Sequence, residues 1–168
     1  MKIYTYGNPI LRKKAKKIKN IDKELIDIVR KMLNTIVQSS PKGVGLAATQ
    51  VGLTISLFVY KLDDDEGAVI NPEIVDRQGS EIGEEGCLSV PGIYAPVKRA
   101  VKIVVKGIDL KGNRMQVEVS GMKARVFQHE IDHLNGIIFT DYVDNIDNLS
   151  VEEGHEVPEE LIDRILKK

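Results

Sequence analysis

The segment GMKARVFQHEIDHLNG, residues 121–136, constrains this chain more than any other stretch. Met122, Val126, Phe127, Ile131 and Leu134 recur at helical spacing and mark part of a helix as buried. Ser120 stands where an N-cap is expected, and Gly136 where a left-handed C-terminal cap is expected. A helix is therefore predicted over residues 121–135. The same helix carries His129, Glu130 and His133. Residues four apart project from one side of a helix, about one turn from each other. Two imidazoles placed this way can share one metal ion, and a glutamate beside the first can reach water held there. Two of the chain's three histidines stand at this spacing. Polar groups on a buried helix need partners, and a metal supplies one.

The rest of the chain reads as one compact domain over residues 1–168. Leu25, Ile26, Ile28, Val29, Met32, Leu33, Ile36 and Val37 predict an amphipathic helix over residues 21–39, with Asp22 as its N-cap and Pro41 and Gly43 beyond its end. ISLFVY, residues 55–60, reads as a buried strand. The acidic run Asp63, Asp64, Asp65 and Glu66 reads as a solvated turn. A second strand is expected near Ala68–Ile70, punctuated by Asn71 and Pro72. Val101, Ile103 and Val105, then Met115, Val117 and Val119, alternate with more polar neighbours around the turn residues Asp109, Lys111, Gly112 and Asn113. That pattern predicts a two-faced antiparallel hairpin. A short third helix is expected from Pro158 to Lys168, with Pro158 in its first turn. The fold class is α+β: mostly antiparallel strands around a central metal-bearing helix, with an N-terminal helix and a short C-terminal one.

Charge and cysteine content narrow the function. The formal net charge is −1, which gives no drive toward nucleic acid or anionic lipid. The chain has one cysteine, so no intrachain disulfide is possible, and a reducing compartment suits it. The opening MKIYTYGNPILRKK lacks the apolar stretch of a secretory signal, no apolar run is long enough to span a bilayer, and the expected location is the cytosol. The basic run Arg12, Lys13, Lys14, Lys16 and Lys17 is read as a solvated face, with contact to ribosomal RNA as the sharper alternative. No membrane partner and no sequence-specific nucleic acid is expected.

A catalytic site of the zinc type needs three protein ligands and an open position. The candidates for the third ligand are Cys87, His155 and the carboxylates. His155 lies in EEGHEVPEE, which reads as solvated. Cys87 lies in GEEGCLSVPG, among glycines that keep the backbone approachable. Its neighbours Glu85, Gly86, Ser89 and Gly92 suit a core thiol in a regular strand poorly.

Three separated motifs then resemble those of the peptide deformylase family: GVGLAATQ at residues 43–50, EGCLS at 85–89 and QHEIDHLNG at 128–136. The opening GNPILRKKAK is similar too. The resemblance covers about residues 1–143, and the tail from Asp144 is not diagnostic. It implies Cys87, His129 and His133 as metal ligands and Glu130 as general base. It implies an oxyanion site made by Gln50 and the backbone N–H of Leu88, with Gly45 holding the substrate backbone. The implied cofactor is one divalent metal ion, ferrous iron first, with nickel, cobalt or zinc also workable. The implied reaction removes the formyl group from N-formyl-methionyl peptides emerging from the ribosome, with formate released by a monomer in transient contact with it.

Around those positions, Gly43, Gly45 and Gly86 suit close approach of a substrate. Val44, Met122 and Val126 are candidate walls for a methionine slot. Asp132 points away from the ligand face and is expected to find a basic partner, Arg99. Two rivals stand beside this reading. A zinc peptidase of the H-E-x-x-H type would not need Cys87. A structural metal module would close its site with four protein ligands.

Overall fold

Asp22 accepts a hydrogen bond from the Leu25 N–H at 2.9 Å and so starts the first helix, α1, Lys23–Gln38. A cap of this kind stabilises a helix by about 0.5–2 kcal/mol. A computed structural model describes residues 1–168. In it α1 turns Leu25, Val29, Met32 and Ile36 inward, the i, i+4, i+7 spacing of one face.

That face packs on a five-stranded antiparallel sheet. Its strands are β1 (Gly45–Ala47), β2 (Leu57–Leu62), β3 (Asp65–Gln78), β6 (Lys102–Ile108) and β7 (Arg114–Ser120), in the order β1-β2-β3-β6-β7. Leu57 and Val59 of β2 meet α1, whereas Phe58 points to the opposite face. There it meets the second helix, α2, Gly121–Leu134, with the Phe58 and Phe127 rings edge to face at 4.9 Å. A strand buried on both faces carries apolar residues on both, which explains the run Leu57, Phe58 and Val59.

The second sheet has three strands, β4 (Glu81–Cys87), β5 (Val90–Arg99) and β8 (Ser150–Val151), in the order β4-β5-β8. Val90, Ile93, Ala95 and Val97 of β5 share a core with Ile138, Phe139 and Leu11, closed by Leu161 and Ile165 of α3, Glu159–Leu166. No helix is long and apolar enough to cross a membrane.

The predicted hairpin is present, with Ile103 opposite Val119 and Val105 opposite Val117. Other expectations need correction. Asn71 and Pro72 do not end their strand: a register shift between Ile70 and Glu73, with Asn71 at a φ of 49°, takes up Pro72, and β3 runs on to Gln78. Asp65 opens β3 and forms an ion pair with Lys123 of α2 at 2.6 Å, so the acidic run is not wholly a solvated turn. Ser120 occupies the N-cap of α2 but makes no capping bond with its side chain. Met122, expected on the buried stripe, is 62% exposed. Cys87, whose neighbours Glu85 and Gly86 suit a core thiol in a regular strand poorly, nevertheless closes β4.

Candidate active site

β1 and β4 are edge strands of different sheets, and residues of both line one cleft of about 290 Å³ above α2. Gly45, Gln50, Gly86, Cys87, His129 and Glu130 line it. So do Val44, Leu88, Met122 and Val126. Among the residues singled out from sequence, His133 lies behind the lining at 1% exposure. His155 lies apart from these donors, exposed on the C-terminal segment.

The donor atoms of Cys87, His129 and His133 lie within 4.8 Å of one another. The Cys87 Sγ is 3.2 Å from His133 Nε2, which is 3.2 Å from His129 Nε2. Nitrogen and sulfur ligands at ordinary zinc-type bond lengths and tetrahedral angles stand about 3.3–3.6 Å apart. Three convergent donors at nearly that separation fit a single divalent ion. The two rings differ in protonation preference, and a bound metal would displace the proton from His129. Burial works against a charged His129 ring, but Cys87 and Glu85 outweigh it and push the His129 pKa up. Burial and the neighbouring His129 push the His133 pKa down, keeping that ring neutral as a metal ligand requires.

Glu130 is 3% exposed, and its Oε2 has no hydrogen-bond partner. Burial pushes its pKa up to about 7, against the opposing pull of His129. The carboxylate sits over β1: a Cβ on Gly45 would overlap Glu130 Oε1 and lie 2.9 Å from its Cγ. Gly45 is therefore the residue that lets β1 pass this carboxylate. Gly45→Ala is expected to destabilise the fold by about 1–3 kcal/mol through overpacking. An unchanged urea midpoint would show that the carboxylate moves aside freely.

Behind the metal-type donors lies a charge network that sequence reasoning found only in part. Arg99 does reach Asp132, at 2.5 Å, and Tyr142 donates to the same carboxylate oxygen at 2.8 Å. The larger partner of Arg99 is Glu85, held by two bonds of 2.8 and 3.0 Å. Arg125 adds a third donor to Glu85 at 3.0 Å, and His129 Nδ1 stands at 2.9 Å as the fourth. Burial alone would raise the Glu85 pKa, but His129 and Arg99 more than offset it and hold it at about 2. Glu85 thus fixes the His129 ring with Nδ1 toward itself and Nε2 toward the donors. Arg125 also donates to the Val97 and Glu81 carbonyls at 2.9 and 3.1 Å, tying α2 to β5 and β4. Its signal in the sequence was its place on the stripe of His129 and His133, one turn earlier.

Gln50 is 1% exposed, and its Oε1 accepts from the Ala47 N–H at 2.9 Å. Its Nε2 is thereby turned toward Ser89 Oγ at 3.1 Å and Cys87 Sγ at 3.4 Å. An amide donor thus points at the donor cluster from the β1 side, while Leu88 follows Cys87 on the other.

An α+β protein with a buried carboxylate beside three convergent soft and nitrogen donors has the makings of a metal-dependent hydrolase. Comparison with known proteins makes this specific. Residues 1–149 match the family described as polypeptide deformylase. A peptide deformylase of Dictyoglomus turgidum is 45% identical over 141 residues, which is 84% of this chain and 91% of the relative. The peptide deformylase structure from Thermotoga maritima superposes with a TM-score of 0.81 at 41% identity, covering 86% of this chain and 97% of that one. That from Synechococcus elongatus, in complex with actinonin, gives 0.84 at 38% identity, covering 88% and 82%. The chain belongs to the polypeptide deformylase family. The peptidase alternative is not favoured.

Proposed function

We propose that Cys87 Sγ, His129 Nε2 and His133 Nε2 hold one divalent metal ion, and that Glu130 carries the proton as water hydrolyses the N-formyl group of formyl-methionyl peptides. The observation that carries this is the juxtaposition of three donors with a buried carboxylate oxygen that has no other partner. When bound, the ion supplies Lewis acidity that acidifies water and polarises the formyl oxygen. The chain's own groups do the rest. Glu130 Oε2 takes a proton from the attacking water and later delivers one to the leaving amine nitrogen. A pKa near 7 suits a group that must do both. Gln50 Nε2 and the Leu88 N–H meet the charge developing on the formyl oxygen, where one such donor is worth about 3–4 kcal/mol.

The peptide lies extended along the free edges of β1 and β4, with the Val44, Gly45 and Gly86 backbone within its reach. Val44, Met122 and Val126 wall the slot for the methionine side chain. Iron(II) is the proposed ion, and the mixed thiolate and imidazole set also accepts nickel, cobalt or zinc. The proposal includes one catalytic domain over residues 1–168, a monomer meeting nascent chains transiently at the ribosome. It also includes a reducing, cytosolic setting, since Cys87 has no disulfide partner.

The test is an assay of formyl-Met-Ala-Ser beside the same peptide without the formyl group. Formate should appear from the first, with no peptide bond cut in either. Peptide-bond cleavage without formate would return the reading to a peptidase.

A further inference from the structure

Tyr4 and Tyr6 lie outside the three sequence motifs, yet they tie two of them together. The Tyr4 N–H donates to the Gln50 carbonyl at 2.8 Å, and the Tyr6 N–H donates to the Ser89 carbonyl at 2.8 Å. Both bonds come from one short stretch of chain, which sets the spacing between Gln50 and Ser89. Between these backbone anchors the two side chains meet, and both are buried.

A buried hydroxyl needs a partner. Ser89 Oγ has one in Gln50 Nε2, at 3.1 Å. A primary amide carries two N–H donors and one carbonyl acceptor. The Ala47 N–H takes the Gln50 Oε1. One Nε2 hydrogen goes to Ser89, and the other faces Cys87 Sγ at 3.4 Å, on the side of the donor cluster. The amide is thus held at both ends, with one donor left over. Without Ser89 Oγ, Cys87 Sγ is the one acceptor left to Nε2, and the amide is free to turn into it. Ser89 itself does not line the cleft. Its N–H also donates to Cys87 Sγ at 3.4 Å, but that backbone bond does not depend on the side chain.

We propose that Ser89 is a positioning residue for the reaction: its hydroxyl holds one Nε2 hydrogen of Gln50, so that the other stays aimed at the formyl oxygen of the bound peptide. This rests on the deformylase reading above. A donor fixed before the reaction needs no reorganisation as charge develops, which is where its contribution to rate comes from. Ser89 acts through Gln50, and its effect should vanish when the amide is absent.

The experiment is a double-mutant cycle on Ser89→Ala and Gln50→Leu. The kcat for formate release from formyl-Met-Ala-Ser is counted per bound metal ion, so unfolded or empty chains do not enter. Ser89→Ala should lower kcat by about 5–50-fold with KM within about twofold of wild type, short of the roughly 10²–10³-fold that loss of a whole donor brings. In the Gln50→Leu background the same change should cost less than about twofold, because the hydroxyl has no amide to hold. A serine that only fills space would cost the same in both backgrounds. A second readout needs no turnover. In the zinc-loaded chain the Gln50 side-chain amide, identified by its loss in Gln50→Leu, should have an NMR order parameter of about 0.85 in wild type and below about 0.6 in Ser89→Ala. Equal costs in the two backgrounds, a Ser89→Ala kcat within about twofold of wild type, or an amide as rigid without the hydroxyl as with it overturns the role. No formate from the wild type would instead remove the deformylase reading, while the order parameter would still decide whether Ser89 holds Gln50.

Discussion

Glu130→Gln is expected to lower kcat for formate release by about 10²–10⁴-fold, the usual loss when a general base is removed. The substitution keeps the shape of the side chain and removes its capacity to take a proton. Stability should change little, because the native carboxylate is buried with one oxygen unpartnered and is already pushed toward its neutral form. Metal content should also persist, since the three donor atoms are untouched. Turnover, metal stoichiometry and urea unfolding on one preparation separate these effects. Turnover within about threefold of wild type, far short of the loss a general base imposes, would remove Glu130 from the chemistry.

Glu85→Gln is expected to have the largest effect on the fold. Glu85 is 5% exposed and faces Arg99, Arg125 and His129 at once. A neutral amide has one acceptor oxygen, and its two N–H donors would point at a guanidinium or at His129 Nδ1. Breaking a buried ion pair from one side costs about 3–5 kcal/mol. The same change frees the His129 ring, and loss of such a supporting contact weakens metal affinity by about 10–100-fold. Urea unfolding of the apoprotein and competition with a chelator read the two effects separately. A loss below about 1 kcal/mol with unaltered affinity would mean that Arg99 and Arg125 are satisfied elsewhere, against the penalty expected for an uncompensated buried charge.

The helix α2 was legible because its apolar stripe and its His129–Glu130–His133 spacing are both local patterns. The β6–β7 hairpin was legible for the same reason, through alternation. β4 and β5 were not. Glu85 and Arg99 are buried on their inner face, so two charges stand where alternation expects apolar residues. Each is tolerable only because the other is present, which no window of the sequence can reveal. The continuation of β3 past Pro72 rests on pairing with β6, from Glu73 opposite Lys106 to Gln78 opposite Lys102, which no local pattern shows. Arg125 was missed for a related reason: on a helix nothing marks it as buried until Glu85 is placed beside it. The donor triad was recognisable through its motifs, whereas the cleft itself exists only where the edges of two sheets meet.

The proposed chemistry requires Cys87 to join His129 and His133 in one metal centre. The most direct test measures metal per chain and formate release on the same anaerobically purified samples of wild type and Cys87→Ser. The expected result is one divalent ion per wild-type chain, with metal and formate release falling together in the variant. Full metal occupancy and full turnover in Cys87→Ser would contradict it.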